Sequence, residues 1–429
     1  MSLRSLTLAL LLVGTTACSA TYEKTALKSW DSMRSGQIDG SLATYEKDVT
    51  RSQDSLLRLM DEGMLLRSAG RFQESNEKFF KASRIIEQNG YLSLGEQGAS
   101  LLTNERMTTY QGEDFEKVLI HLYLGLNFLS LNREEEGLVE TRKVNEILQV
   151  MMSEGKRPYE FNAFARYLGA MLFENSGDLN DALVAYRNTL KIDETLKNRF
   201  PVLPVDIIRL GLRLGFVEEV EDWKKSFGEE AFKEAQKINR DREGALAVLF
   251  EAGKSPLKVS SKEHRKTTGK GGTLIEVAIP VSYYEARKTR VTSLKVSVAT
   301  LEESSAVLTN IEQTAIQHLQ DRMGRVIAKA LLTAATKAAV ATGVGAATNS
   351  KELGFLTGIA LMLMSEADTR SWLLLPGSLQ VAKIFLKPGD YSVSLQMLDR
   401  YGNSVGAPQE SKVSIKSHKT TFLQKRAFD

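Results

Sequence analysis

Residues able to do chemistry are sparse in this chain and scattered along it. Its four histidines, His121, His264, His318 and His418, lie far apart. None belongs to an HExxH pair, and with a single cysteine there is no thiolate metal pattern. Ala252-Gly253-Lys254-Ser255 ends as a phosphate-binding loop does, but Val248 stands where that loop needs its first glycine. Thr268-Gly269-Lys270-Gly271-Gly272 lies in a basic stretch, Lys258–Gly272, and reads as flexible connector. No Gly-x-Ser-x-Gly elbow occurs, and no carboxylate pair stands out as a glycosidase acid and nucleophile. The expectation is no enzyme, no cofactor and no metal. A cell-wall enzyme with an unrecognised site is the outlying alternative.

The lone cysteine is the exception. Cys18 follows Arg4 and the apolar run Leu6–Ala17. A charged start, a short apolar core and small residues before a cut make a secretory signal, too short for a permanent span. The cysteine after Ala17 resembles a bacterial lipobox, which implies that Cys18 is acylated and becomes the new N-terminus. Each buried methylene then adds about 0.8 kcal/mol to membrane attachment. Ser19 is not the Asp that retains such proteins in an inner membrane, so the expected place is the periplasmic side of the outer membrane. The bland alternative is an ordinary signal cut after Ala17 or Ala20. An internal disulfide is excluded.

The elements that would position any site fall into two halves. From 51 to 244, apolar residues recur at three and four, broken by Gly or Asn. Three stretches share a spacing: Gly63, Leu66, Gly70, Phe72, Ser75, Phe79 and Ala82; Gly125, Phe128, Asn132, Gly137 and Val144; Ala170, Phe173, Gly177, Leu179, Ala182, Tyr186 and Thr189. They resemble the tetratricopeptide (TPR) repeat. Small residues let paired helices approach, and the central Gly or Asn turns the chain. A fourth pair follows at Ile207–Phe216 and Val217–Phe227. Such repeats bury their apolar faces only by stacking, which predicts a solenoid.

From 245 to 429 the period becomes two. Ala245–Glu251, Thr273–Pro280, Ser293–Leu301, Leu379–Leu386, Tyr391–Leu398 and Ser411–Leu423 read as strands. They predict an α+β domain with antiparallel strands in a sandwich-like arrangement. Between them a helix is expected from Thr309 to about Val340. The apolar stretch 327–364 reads as a central helical hairpin, either packed on the sheet or dipping into a membrane. The fold class is therefore α+β and multidomain: signal 1–17, anchor and first helix 18–50, TPR-like helices 51–244, and the mixed domain 245–429. Net charge is +3, but residues 1–250 carry a surplus of acids and 251–429 a surplus of bases. Basic–aromatic interleaving is missing, so nucleic acid is not an expected partner.

Four stretches are too particular to be filler. They are Tyr110-Gln111-Gly112-Glu113-Asp114-Phe115-Glu116, Val139–Asn145, Gly253–Lys258, and Ala367-Asp368-Thr369-Arg370-Ser371-Trp372. In this order they resemble an uncharacterised family of bacterial envelope lipoproteins with TPR-like N-terminal halves. The resemblance implies no enzymatic activity. Tyr110, Gly112, Glu116, Glu140, Arg142, Asn145, Asp368, Arg370 and Trp372 become candidates for partner contact or for a structural role. Arg142 and Asn145 share a helix face, which Glu140 does not share with Arg142. An Asp368–Arg370 pair is suited to fixing a chain reversal before Trp372 buries.

The reading is a lipid-anchored periplasmic scaffold for cell-envelope assembly. Its concave helical face takes a protein segment, and its C-terminal domain docks on an envelope protein of unknown identity. The rival is a membrane-active or export-complex component that uses 327–364. Oligomeric state is left open.

Overall fold

The computed structural model describes residues 19–89, 109–153, 162–268, 274–324, 327–328 and 367–428. Cys18, the signal segment and all but the first two residues of the 327–364 stretch lie outside the described residues. Among the described residues twelve α-helices precede the strands: α1 Ser19–Ser35, α2 Asp39–Asp48, α3 Ser55–Ser68, α4 Phe72–Asn89, α5 Asp114–Ser130, α6 Glu134–Ser153, α7 Ala163–Ser176, α8 Leu179–Ile192, α9 Leu196–Arg199, α10 Val202–Leu214, α11 Val217–Phe227 and α12 Glu229–Asp241.

The three TPR-like spacings become the pairs α3/α4, α5/α6 and α7/α8, and α10/α11 is the fourth. The first three pairs reverse on the residue that the spacing marks, Gly70 (φ 73°), Asn132 (56°) and Gly177 (94°), and the fourth reverses on Gly215 (79°). All four are left-handed, the conformation that ends a helix without a Cβ clash at Gly and is tolerated by Asn. Close approach is built in as well. A methyl group on Gly63 would sit 2.5 Å from the Phe79 ring of the paired helix.

The strands are β1 Gly244–Ala252, β2 Leu257–Thr268, β3 Leu274–Glu285, β4 Ser293–Val298, β5 Leu301–Ser304, β6 Ala306–Asn310, β7 Ser378–Leu386, β8 Gly389–Leu398, β9 Gln409–Ile415 and β10 Thr420–Arg426. One sheet runs β10-β1-β7-β6, a second β5-β4-β8-β9, and β2 pairs with β3 in a separate ribbon. β1 and β10 are parallel and the other pairs antiparallel. Three expectations need correction. The basic stretch read as connector is largely strand β2, because its residues pair one for one with β3. The stretch Ser411–Leu423 is two strands, split by a turn in which His418 takes φ 56°. The helix expected from Thr309 begins two residues later, as α13 over 311–324, after β6.

The first sheet is sandwiched. Leu246, Val248 and Phe250 of β1, with Ala382 and Ile384 of β7, face the second sheet. Ala247 and Leu249, with Leu379 and Val381, face the helices. Every residue of β1 is buried, as a strand covered on both sides requires. One continuous apolar core runs from Tyr22 through the helix pairs to Val381. The change of pattern near 244 is therefore a change of secondary structure and not a seam in the packing.

This layering overturns the concave-face reading. The sheet lies against the first helix of each pair. Arg67 of α3 donates to Glu251 and Gln424, Tyr123 of α5 to Glu251, and Asn175 of α7 to the Thr420 carbonyl. The face that a partner segment would enter is filled by the chain itself.

Candidate functional site

Three of the four distinctive stretches, 110 to 367 in sequence, meet in one buried junction. Glu116, at the third position of α5, closes a capping box with Glu113. Its carboxyl takes the Tyr110 hydroxyl at 2.6 Å, the Glu113 amide at 3.0 Å and the Trp372 amide at 2.7 Å. Gly112 turns the chain here with φ 76°. Burial, followed by the Glu113 charge, raises the Glu116 carboxyl to about 7. Glu113 moves the other way: burial works against its charge, but Lys258, Arg322 and His318 outweigh it and hold it at about 2. Lys258 reaches Glu113 at 2.9 Å from the start of β2, and Arg322 at 2.6 Å from α13.

The 367–376 segment threads through this cluster. Arg370 turns back on Asp368, with Nε to Oδ1 at 2.9 Å and Nη2 to Oδ2 at 2.7 Å, and pairs with Asp54 at 3.1 Å. Its guanidinium lies 5.4 Å from the Tyr110 ring centroid. Burial opposes the Arg370 charge, yet the two carboxylates hold its pKa above the ordinary value. Trp372 is 1% exposed, against Phe79 and Tyr123 at 6.0 and 5.8 Å between ring centroids. Ser255, of the Gly253–Lys258 stretch, donates towards the Trp372 and Leu373 carbonyls.

A second acid grips the same segment. Asp61 Oδ2 lies 2.9 Å from the Tyr22 hydroxyl and 2.8 Å from the Tyr45 hydroxyl. Tyr22 also reaches the Ser371 carbonyl at 2.9 Å. One hydroxyl has one proton, so both Tyr22 contacts are satisfied when Asp61 is itself protonated and donates. Burial drives Asp61 to about 7, in agreement with that arrangement. The junction therefore holds two carboxyls poised near neutrality.

Glu140, Arg142 and Asn145 lie elsewhere, on α6. Glu140 Oε2 is 2.7 Å from His121 Nδ1, whose Nε2 is 3.3 Å from Ser83 Oγ. The order serine–histidine–carboxylate is that of a hydrolytic relay, but Ser83 sits 5% exposed inside α4, between packed helices. Arg142 lies over the Phe173 ring and 3.6 Å from Asp178. It is a tie between adjacent pairs.

Sequence reasoning missed another buried network. Lys383 Nζ, on β7, contacts Asp206 at 2.7 Å and the Tyr186 hydroxyl at 3.3 Å. Arg209 pairs with Glu174 and Asp206. Burial pulls the lysine pKa down, with Asp206 opposing, while Arg209 outweighs the burial of Glu174 and holds that acid at about 2. The signal was present: Lys383 shares a strand face with Leu379, Val381 and Phe385.

One open concavity is lined by helices. A cleft of about 430 Å³ between α2, α3 and α4 is bordered by Asp39, Glu46, Glu62, Glu74 and Glu77, against Arg58, Arg71 and Lys78. Leu42, Ala43 and Leu66 supply apolar wall. Glu62 is buried at 4% exposure and held by Lys78 at 2.6 Å, while Glu46 and Glu77 are exposed. No group of three or more metal-ligating side chains is found among the described residues. No helix among them is long and apolar enough to cross a membrane.

No family model matches the chain, and no curated protein matches it. Among solved structures, the crystal structure of MamA protein matches at 15% identity with a TM-score of 0.32, covering 52% of this chain and 96% of that one.

Proposed function

We propose that the chain is a lipid-anchored scaffold of the cell envelope that holds a basic segment of a partner protein in the α2–α3–α4 cleft. One observation carries the site. The face of the first helices is occupied by the chain's own sheet, whereas the cleft is open and has five carboxylates against three cations. Glu46 and Glu77 are free to take an incoming ammonium or guanidinium, with Leu42 and Leu66 beside the aliphatic stem. A rigid body suits the role, because buried ion pairs from β1 and β7 tie the sheet to the helices.

The anchor part of the proposal rests on Cys18, the sole thiol, placed after Ala17. Cys18→Ser is expected to move the protein from the membrane to the soluble fraction and to abolish fatty-acid labelling. The cleft is tested by fluorescence anisotropy with a labelled Lys/Arg-rich peptide and an acidic control. The basic peptide should bind, weaken with salt and lose affinity about tenfold or more in Glu46→Lys/Glu77→Lys. Equal binding of both peptides, or an unchanged double variant, refutes the cleft as the site.

A further inference from the structure

Three cations converge on the indole of one α1 residue, Trp30. Lys254 Nζ lies 5.6 Å from the Trp30 ring centroid, and the guanidinium carbons of Arg287 and Arg426 lie 5.2 Å from it. Trp30 comes from α1. Lys254 stands in the β1–β2 turn after left-handed Gly253, Arg287 follows β3, and Arg426 ends β10. Attraction to the ring holds each cation by about 0.5–2 kcal/mol, but it does not cancel their mutual repulsion.

The compensating charges fall short. Arg426 is 3.6 Å from Glu251, a carboxylate that Arg67 already holds at 3.0 Å. Arg426 Nε is buried, in a side chain 9% exposed, and has no acceptor. Arg287 gives Nε to the Ser255 carbonyl and Nη2 to Ser255 Oγ and the Leu373 carbonyl, so it holds neutral groups and no carboxylate. Lys254 has neither a hydrogen-bond acceptor nor a carboxylate among the described residues. Glu312 and Asp61 act on Arg287 only through space. Asp61 is the acid already raised to about 7. Burial, and next the Arg426 charge, draw Arg287 down to about 10, as a surplus of positive charge requires.

We propose that the Trp30–Lys254–Arg287 corner is a binding site for a phosphate-type oxyanion. Lys254 and Arg287 are both half-buried, so an anion reaches them from solvent while Trp30 closes the floor. A guanidinium held by backbone carbonyls is a fixed fork, and a lysine with no partner is a free point charge; together they match phosphate oxygens. This is not the nucleotide loop that Gly253-Lys254-Ser255 superficially suggests, since the recognition comes from side chains of three distant segments. The same chemistry is offered by free phosphate and by a phospholipid headgroup. α1 is described from Ser19, the residue after Cys18 in sequence, and Trp30 lies eleven residues further along it, about 17 Å.

The test uses the full chain carrying Cys18→Ser, so that vesicle binding does not come from acyl chains. Sodium phosphate is titrated by calorimetry and by thermal melting, with sodium chloride at matched ionic strength. Phosphate should raise the melting temperature above the chloride control. Lys254→Gln, which removes no hydrogen bond or ion pair within the described fold, should lose phosphate affinity about tenfold or more, the worth of one hydrogen bond between charged groups. Lys254→Glu should melt higher than wild type without phosphate and show no phosphate response, because the missing carboxylate is then built in. In a second arm, binding to phosphatidylglycerol but not phosphatidylcholine vesicles, lost in Lys254→Gln, assigns the site to a lipid headgroup. A phosphate response without vesicle binding assigns it to free phosphate. No response to either ligand beyond the chloride control, or an equal response in Lys254→Gln, overturns the proposal.

Discussion

Asp61→Asn should make the protein more stable at pH 8 and leave it unchanged below about pH 4. The Asp61 carboxyl is fully enclosed and its pKa rises from 3.8 to about 7 on folding. The folded state therefore holds a proton that the unfolded chain has released. An acid raised in this way contributes stability that is complete below about pH 4 and is lost as pH climbs towards 7. Above 7 the loss is complete and constant. A displacement of that size corresponds to about 4 kcal/mol, and to less where Asp61 and Glu116 titrate as a coupled pair. Asn presents a neutral group of the same shape. Its amide can donate to Tyr22, which keeps its bond to the Ser371 carbonyl. The assay is urea unfolding of wild type and variant between pH 4 and 8, read as the difference in midpoint so that other titrating groups cancel. The difference should open between about pH 4 and 7 in favour of the variant, by up to about 4 kcal/mol. A difference that stays flat, or that opens in favour of wild type, refutes the assignment of a neutral Asp61.

Three other outcomes are expected. Gly63→Ala should cost about 1–3 kcal/mol, because its new methyl would press 2.5 Å from the Phe79 ring; an unchanged melting temperature would count against the close packing of the first helix pair. Lys383→Met should cost about 3–5 kcal/mol in chemical denaturation, since it removes one partner of a fully buried pair and leaves Asp206 with Arg209 and Tyr167 alone. Trp372→Ala should cost about 3–5 kcal/mol, and in a chain with Trp30 and Trp223 replaced by Phe the wild-type Trp372 emission should be blue-shifted and resist iodide quenching; ready quenching would place the ring at the surface.

Much of the helical half was legible because its signals are local. Gly70, Asn132 and Gly177 each turn the chain within a few residues of the apolar periods they interrupt, and the structure places a left-handed residue at every one. The strand pattern of β7 and β8 was readable for the same reason. The ribbon was not. Lys262, His264, Arg265 and Lys266 give β2 the composition of a linker, and only its register with β3, itself rich in Val, Ile and Tyr, makes it a strand. The sandwiching of the first sheet was likewise hidden. Whether a period-two strand faces water or helices depends on which surface its neighbours bring, and Glu251 and Lys383 find their partners 184 and 177 residues away.

The distinctive stretches illustrate the same limit from the other side. Glu116, Arg370 and Trp372 are 1%, 4% and 1% exposed, so a partner cannot touch them. Their unusual composition answers a different demand. Glu113 receives Lys258 from the first turn of the β2–β3 ribbon and Arg322 from α13, while Glu116 and Arg370 fix the segment that returns to β7. One loop thus roots the ribbon, the helix before 329 and the strand after 366. A cluster of this kind must keep Glu113 charged against burial and Glu116 neutral beside it, which only a particular set of neighbours achieves. That is why these residues look singular in sequence although they are interior. It also directs the search for partner contacts away from the residues that stand out and towards the surfaces they hold in place, namely the exposed flank of the ribbon, the α2–α4 cleft and the cationic corner at Trp30.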